Sequence, residues 1–451
     1  MTQHPGGPLS NDPQTTAIVR KITRHLMPVL GVMYLIAYID RQNIGYAKLQ
    51  MVGDLGLTES SYGLGASLFF IGYLIFELPS NLLLARVGAR VWFARIMVSW
   101  GLVTLALAFT QNASMFYTLR FLLGALEAGF FPGVLYVLTL WVPWEYRGRL
   151  VGMFMGWSAL ANAVGAVIGG LLLDADGTLN LRGWQWVFLM TALPAIAMGL
   201  LTLVMLPNGP EQARFLTADD KRHLRTVLAG EEQRLPAGSH SATLSALLDR
   251  RVIVIALFYI SLPLGAYGLS YWLPTVVKGF GVTNTTNGFL NIIPWACVAW
   301  ALWWVPRHAA RTGEQTWHIA LPAFVGAASL AASVYVPGNA AKFALLCVAA
   351  AGIFSAQPVF WSLPSTFLKG AAAAAGFAAI NSVGNLGGFF AQNAVPWIRD
   401  RTRNDLAPML FLAACLTAGG LMTFVVQRVL KRPAWSVGKE AEGQPPLPNR
   451  E

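Results

Sequence analysis

The sequence predicts an all-α integral membrane protein, with twelve transmembrane helices in two six-helix halves. Three observations carry that prediction. Of the 451 residues, 55% are hydrophobic and only 12% charged, and the mean hydropathy is +0.53, which is too apolar for a soluble enzyme of this length. Windows of about 20 apolar residues, each long enough to cross a ~30 Å hydrocarbon core as a helix, recur twelve times. Short motifs in the first half also return in the second at an offset of half the chain.

The elements follow in order. A polar segment, residues 1–24, precedes the first half, residues 25–206, whose apolar windows fall at 26–46, 60–84, 91–110, 114–142, 148–173 and 184–206. A connector, residues 207–251, mixes both charge signs at helix-compatible spacing and reads as one or two short surface helices. The second half, residues 252–428, has windows at 252–277, 285–306, 317–336, 343–368, 372–397 and 405–428. A Pro-rich polar tail, residues 429–451, reads as disordered.

Charge sets the orientation. Arg20, Lys21 and Arg24 precede the first window without a small-residue cleavage site, so the expectation is a cytoplasmic amino terminus and no secretory signal. With both termini cytoplasmic, 23 Lys and Arg fall in cytoplasmic segments and 7 in external ones, leaving Arg41 and Arg120 within the membrane. One external loop departs from the rule, since Arg399, Arg401 and Arg403 cluster between the last two windows. The +11 formal charge is therefore mostly topogenic and gives no support to a nucleic-acid partner. Cys297, Cys347 and Cys415 are isolated in apolar windows and form no ligand set with the six scattered histidines, so neither a metal, a cofactor nor a disulfide is expected. With no HExxH or GxSxG motif, an enzyme is not expected either.

The internal echo is specific in place. ARVGAR begins at Ala85 after the second window, and AARTGE places Ala310, Arg311 and Gly313 after the eighth; FFPG around Pro132 in the fourth answers AQPV around Pro358 in the tenth. Two duplicated six-helix halves are a transporter architecture, with the substrate site between them near the midplane. At an offset of 226 residues, Asp40, Arg41, Arg120 and Glu127 correspond to Ala266, Tyr267, Leu346 and Ile353. Ionisable chemistry is thus confined to one half, which favours function over bracing.

Within a bilayer an ionised side chain at mid-depth costs several kcal/mol or more, so each one needs a reason. Arg120 and Glu127 lie two helical turns apart on one face, with Gly124 between them to admit a neighbouring helix. By the helical rise, Asp40 and Arg120 both lie roughly 9 Å below the external boundary and can meet, while Glu127 lies ~10 Å deeper. The expectation is a water-accessible cavity in which Arg41 and Arg120 attract an anion and Glu127 and Asp40 exchange a proton. Arg120 as a fixed partner of Asp40 or Glu127, tying helices together, is the structural alternative. Glu77, two residues before Pro79, suits a gating or structural role. Tyr34, Tyr38 and Arg41 share a face, Tyr73 lies one turn before Glu77, and YGLSYWLP adds Tyr267, Tyr271 and Trp272. Asn381 and Asn385, one turn apart, present amides either to substrate or to a neighbouring helix.

Taken together, DRQNIGYA, GYLIFELPSNLLLARVGAR, RFLLGALEAGFFPG, WVPWEYRGR, YGLSYWLP and INSVGNLGG resemble the major facilitator superfamily and, within it, the anion:cation symporter family, over about residues 24 to 430. The resemblance implies the major facilitator fold and a bacterial permease of the tartrate, phthalate or galactonate type in the cell inner membrane. It also implies proton-coupled uptake of a small organic anion such as a sugar acid, hydroxy-dicarboxylate or aromatic carboxylate, with exchange or efflux without obligatory proton coupling as the alternative. By that match Asp40, Arg41, Arg120 and Glu127 serve coupling and anion recognition, and Tyr73 and Asn381 resemble substrate-contacting positions; Tyr38 and Tyr267, whose hydroxyls could meet a substrate carboxylate or hydroxyl, complete the candidate set. The usual aspartate of the loop motif is Ala85 here, and Ala310 in the second copy, so the family's charge latch is altered.

Overall fold

The computed structural model describes residues 12–234, 249–364 and 370–431. Every regular element among the described residues is a helix. The first half comprises α1 (Pro13–Asp54), α2 (Glu59–Val87), α3 (Ala89–Leu107), α4 (Ala113–Glu127), α5 (Phe130–Trp141), α6 (Trp144–Leu173) and α7 (Gly183–Met205). The connector contributes α8 (Ala218–Arg234), and its residues 235–248, like the tail from 432 onward, lie outside the described residues. The second half comprises α9 (Arg250–Tyr259), α10 (Ser261–Lys278), α11 (Asn284–Leu290), α12 (Ile292–Thr312), α13 (Thr316–Ala332), α14 (Asn339–Phe360), α15 (Gly370–Thr402) and α16 (Leu406–Lys431).

Among the described residues ten spans are long and apolar enough to cross a membrane, counting α4 with α5, α9 with α10, and α11 with α12 as one span each. The other two expected windows are also helical. Helix α13 is apolar but shorter, at 17 residues. Helix α15 is long, at 33 residues, and carries Asn381, Asn385, Gln392 and Asn393. Those amides face other protein segments rather than lipid: Asn381 and Asn393 bond to α2, and Asn385 and Gln392 line a cavity. The protein is therefore a multi-pass membrane protein. Large apolar side chains such as Leu78, Val204 and Leu257 stay exposed because lipid, not water, faces them.

Several boundaries differ from the sequence expectation, the seventh and eighth windows dividing at Ile260 and Asn291, and two departures have a plain local cause. Helix α1 begins at Pro13 rather than near residue 26, started by the Asp12 carboxylate, which accepts from the amides of Gln14 and Thr15, with proline in the first helical position. The fourth window is not one helix. It breaks after Glu127, where Ala128 turns to ψ 137° and Gly129 takes φ 88°, a left-handed conformation that an L side chain rarely adopts. Pro132 then lies in the first turn of α5, where its missing N–H costs nothing. Glu127 is thus the last residue of a half-helix.

The duplication is visible in the packing. In the first half α1 pairs with α6, α2 with α4 and α3 with α7; in the second, the equivalent pairs are α10 with α15, α12 with α14 and α13 with α16. Between halves, α2 packs on α15, its counterpart α6 packs on α11 and α12, and α1 meets α10. This is a pseudo-two-fold arrangement with α1 and α10 at the axis. Gly124 behaves as expected, since a Cβ there would overlap the Phe69 backbone of α2.

Polar ties cap both ends of the bundle. At the α1–α2 turn, Glu59 pairs with Lys48 (2.7 Å) and with Arg399 of the other half (2.8 Å), and the Ser60 hydroxyl donates to Asp400. At the opposite end α8 is tied to the first half by Lys21–Asp220 (2.6 Å) and Arg147–Glu231 (3.1 Å). Arg399 bridges the halves, so this member of the departing arginine cluster has a structural reason that charge counting does not supply.

Candidate functional site between the halves

Between the axis helices lies a cavity lined from both halves. Tyr34, Tyr38 and Arg41 reach it from α1, Tyr73 from α2, Tyr267 and Tyr271 from α10, and Asn381 and Asn385 from α15. The shared face expected for Tyr34, Tyr38 and Arg41 is thus the cavity wall. Sequence reading did not single out Gln42, Asn162, Tyr259, Gln357, Trp361 and Gln392, which also line it. For Gln392 a signal existed: it lies eleven residues after Asn381, three helical turns, on the same polar face.

Arg41 is the charged centre of the wall. Its Nε and Nη2 both approach Oε1 of Glu127 at 2.7 Å, and its Nη1 donates to the Tyr267 hydroxyl at 3.3 Å. The rings of Tyr38, Phe69 and Tyr73 surround the guanidinium carbon at 5.6, 5.6 and 5.4 Å, a setting in which ring faces favour a cation. Glu127 is fully buried, while the Arg41 side chain retains 16% exposure, so the arginine, not the carboxylate, presents to the cavity.

The sequence reading weighs Arg120 as a fixed partner of Asp40 or of Glu127, and the structure pairs Glu127 with Arg41 instead. Arg120 shares its helix face but bonds elsewhere: its Nη2 donates to the Ala66 carbonyl at 2.9 Å, and its guanidinium stands 5.1 Å from Phe69. Phe69 is within cation–π distance of both arginines. Arg120 does not line the main cavity. It lines a smaller one beside it, together with Asp40, as the depth argument anticipated. Asp40 Oδ1 accepts from Asn43 (3.1 Å), whose amide also donates to Thr191 (3.1 Å), which anchors the carboxylate to α7.

Glu77 is buried and held across the halves. Asn381 Nδ2 donates to its Oε1 at 3.1 Å and the Ser382 hydroxyl to its Oε2. Asn381 therefore lines the cavity and simultaneously ties α15 to α2. Among the described residues no group of His, Cys, Asp and Glu is placed to hold a metal ion. The three cysteines are free.

Known proteins place this arrangement. The Major Facilitator Superfamily model matches residues 30–392. A protein of Acinetobacter baumannii named Quinolone resistance transporter is 42% identical over 416 residues, covering 92% of this chain and 96% of that one. A Putative tartrate transporter of Agrobacterium vitis is 41% identical over 424 residues, 94% of each chain. The Putative metabolite transport protein NicT of Pseudomonas putida is 42% identical over 408 residues, 90% of this chain and 93% of that one. Among solved structures, a bacterial homolog of the human lysosomal transporter Spinster superposes with TM-score 0.74 at 14% identity, covering 95% and 100% of the two chains. A D-xylose-proton symporter superposes with TM-score 0.69 at 16% identity, covering 90% and 97%; both likenesses are of fold. The charged cavity between duplicated halves, the family match and these relatives agree: the chain is a membrane transporter, not an enzyme, and belongs to the Major Facilitator Superfamily.

Proposed function

We propose that the protein takes up a small organic anion together with a proton, across the bacterial inner membrane and with both termini in the cytoplasm. The observation that carries this is the Arg41–Glu127 pair. A guanidinium in the wall of a cavity, with two nitrogens committed to one carboxylate oxygen, is a site where a substrate carboxylate competes with an internal one. When an anion takes Arg41, Glu127 is left buried without its countercharge, and taking up a proton is its cheapest response. Anion and proton then favour each other's binding, as linkage requires. The tyrosines and amides around Arg41 suit hydroxyl groups or an aromatic ring, so sugar acids, hydroxy-dicarboxylates and aromatic carboxylates are the substrate classes proposed. The name Putative tartrate transporter on a relative at 41% identity supports the hydroxy-dicarboxylate choice.

A second reading has one specific observation in its favour. The name Quinolone resistance transporter on a relative at 42% identity favours export in place of uptake, with Arg41 of this chain still the anion site. Purified protein in liposomes separates the two. Under the uptake reading, an inward proton gradient alone, with no substrate inside, accumulates a labelled acid from a panel of the three classes. Absence of pH-driven accumulation for every acid, with counterflow intact, would replace symport by exchange. Proton-driven extrusion of a quinolone would establish the second reading.

A further inference from the structure

The small cavity beside the main one is bounded by Asp40, Arg120, Phe69 and Phe70 from the first half, and three residues, Arg41, Tyr267 and Gln392, line both cavities. These three form the partition. Two of them, Tyr267 on α10 and Gln392 on α15, belong to the second half, whereas the acid and base behind the partition belong to the first. Asp40 is 1% exposed, Arg120 3% and Gln392 4%. Each nevertheless keeps a polar atom without a hydrogen bond of normal geometry among the described residues: Asp40 Oδ2, Arg120 Nε and Gln392 Oε1. Buried polar atoms left short of hydrogen bonds around one cavity are satisfied by ordered water, and this cavity, walled by Phe69, Phe70 and Leu123 as well as by these polar groups, has room for about one such molecule.

We infer that the small cavity is a water chamber through which Asp40 exchanges its proton, and that Gln392, a residue of the opposite half, is its gate. This rests on the proton-coupled reading above. The groups facing Asp40 are Arg41 and Asn43 on its own helix, the Thr104 hydroxyl on α3, and Arg120 and Glu127 on α4. None of them opens the chamber, because all belong to the half that contains Asp40. Tyr267 and Gln392 do, because they withdraw with the second half when α1 parts from α10 and α2 from α15. In the arrangement described here the partition is shut and Asp40 keeps its protonation state. When the halves part, water of the main cavity joins water of the chamber. A proton from the main cavity then passes to the chamber water, which gives one of its own protons to Asp40 Oδ2, and the reverse sequence releases it. A proton taken up while the partition is open stays on Asp40 until the halves part again, which is what tight coupling demands.

The test uses the full-length protein in liposomes containing a pH-sensitive dye, with the membrane potential clamped and no substrate present. Gln392→Ala opens the partition permanently, so proton entry rises several-fold above wild type. Gln392→Met, similar in length but without the amide, refills the gap and returns entry towards the wild-type rate. Gln392→Ser, a second small replacement, leaks like alanine and keeps the test available where the alanine variant does not fold. Wild-type tightness in both small variants, verified as folded by substrate counterflow, overturns the gate. The proton-coupled reading fails separately: there, the wild type itself shows no pH-driven accumulation.

Discussion

Arg41 and Tyr267 occupy equivalent positions in the two repeats, 226 residues apart, and their side chains meet, with Arg41 Nη1 donating to the Tyr267 hydroxyl at 3.3 Å. Contact between equivalent positions places both on the pseudo-two-fold axis. The duplication has therefore diverged where the two copies face one another: one supplies a cation, the other a neutral hydroxyl. The same guanidinium holds Glu127, so one residue joins the second half, the buried carboxylate and the cavity. Any ligand that takes Arg41 changes all three relationships at once.

The first prediction ranks the arginines. A guanidinium grips a carboxylate through two parallel hydrogen bonds that an ammonium does not reproduce. Arg41 lines the main cavity and Arg120 does not, so Arg41→Lys raises the apparent Km for uptake about ten-fold, a loss of about 1.4 kcal/mol. Arg120→Lys changes Km less and lowers the pH-driven rate instead. Concentration dependence of counterflow in both variants checks the order, and a larger Km effect at Arg120 would reverse the assignment.

The second prediction separates binding from coupling. Glu127→Gln keeps the size of the side chain and an acceptor oxygen for Arg41 but has no proton to exchange. Counterflow therefore continues, with substrate binding tightened because the internal competitor for Arg41 has lost its charge. Accumulation driven by a pH gradient stops. Both are measured on one preparation; full pH-driven accumulation in this variant removes Glu127 from the coupling mechanism.

How far the sequence carries is seen at these same residues. Apolar windows locate the twelve helices because the bilayer demands about 20 apolar residues from each. A face argument puts Tyr34, Tyr38 and Arg41 on one wall because helical periodicity fixes a direction, while Tyr73 and Asn381, which line the same cavity, are singled out by family resemblance. The partner of Glu127 is another matter. Periodicity says that Arg120 shares its face but not which neighbouring helix approaches, and the answer comes from α1, 86 residues away. The break at Gly129 is hidden because glycine in an apolar run signals close packing as readily as a turn. Ties such as Glu59–Arg399 join residues 340 apart and leave no local pattern at all.

The third prediction concerns pH outside the membrane. Asp174, capping the end of α6, accepts from Asn284 Nδ2 (2.8 Å) and the Thr285 amide (2.9 Å) of the other half. Burial works to raise its pKa, but the hydrogen bonds from Thr285 and Asn284 outweigh it and hold the carboxyl below its usual value of 3.8. A depressed carboxylate contributes fully above its ordinary pKa and is lost only as pH falls through the lower, folded-state value. This tie therefore stays charged between about pH 5 and 8, where transport is measured. Asp174→Asn alters the rate without moving the midpoint of the pH–uptake profile; a shifted midpoint would show that Asp174 titrates in that range.

The fourth prediction concerns the closure at the α1–α2 turn. Lys48 is 3% exposed, pairs with Glu59 at 2.7 Å and stands 3.6 Å from the centre of the Trp272 ring. Arg399 lies 4.9 Å from the same ring, bonded to Glu59 (2.8 Å) and to Asp405 (2.8 Å). One tryptophan of the second half thus meets two cations, and one glutamate of the first half joins them. Removing the charge of Glu59 leaves Lys48 buried beside Arg399 with no carboxylate between them, and breaking one partner of a buried pair typically costs about 3–5 kcal/mol. Opening this end hydrates Lys48 and relieves the cost, so Glu59→Gln shifts the population towards the arrangement open at the α1–α2 turn. A single cysteine at Asn385, in a background with Cys297, Cys347 and Cys415 replaced by serine, reports on the main cavity. In the Glu59→Gln variant a membrane-impermeant maleimide added on the α1–α2 side labels that cysteine at least several-fold faster than in the parent. Lys48→Met, which removes the stranded charge as well, returns labelling towards the parental rate when combined with Glu59→Gln. Equal rates in parent and Glu59→Gln would mean that the closure rests on the apolar packing of α2 against α15 rather than on this ion pair.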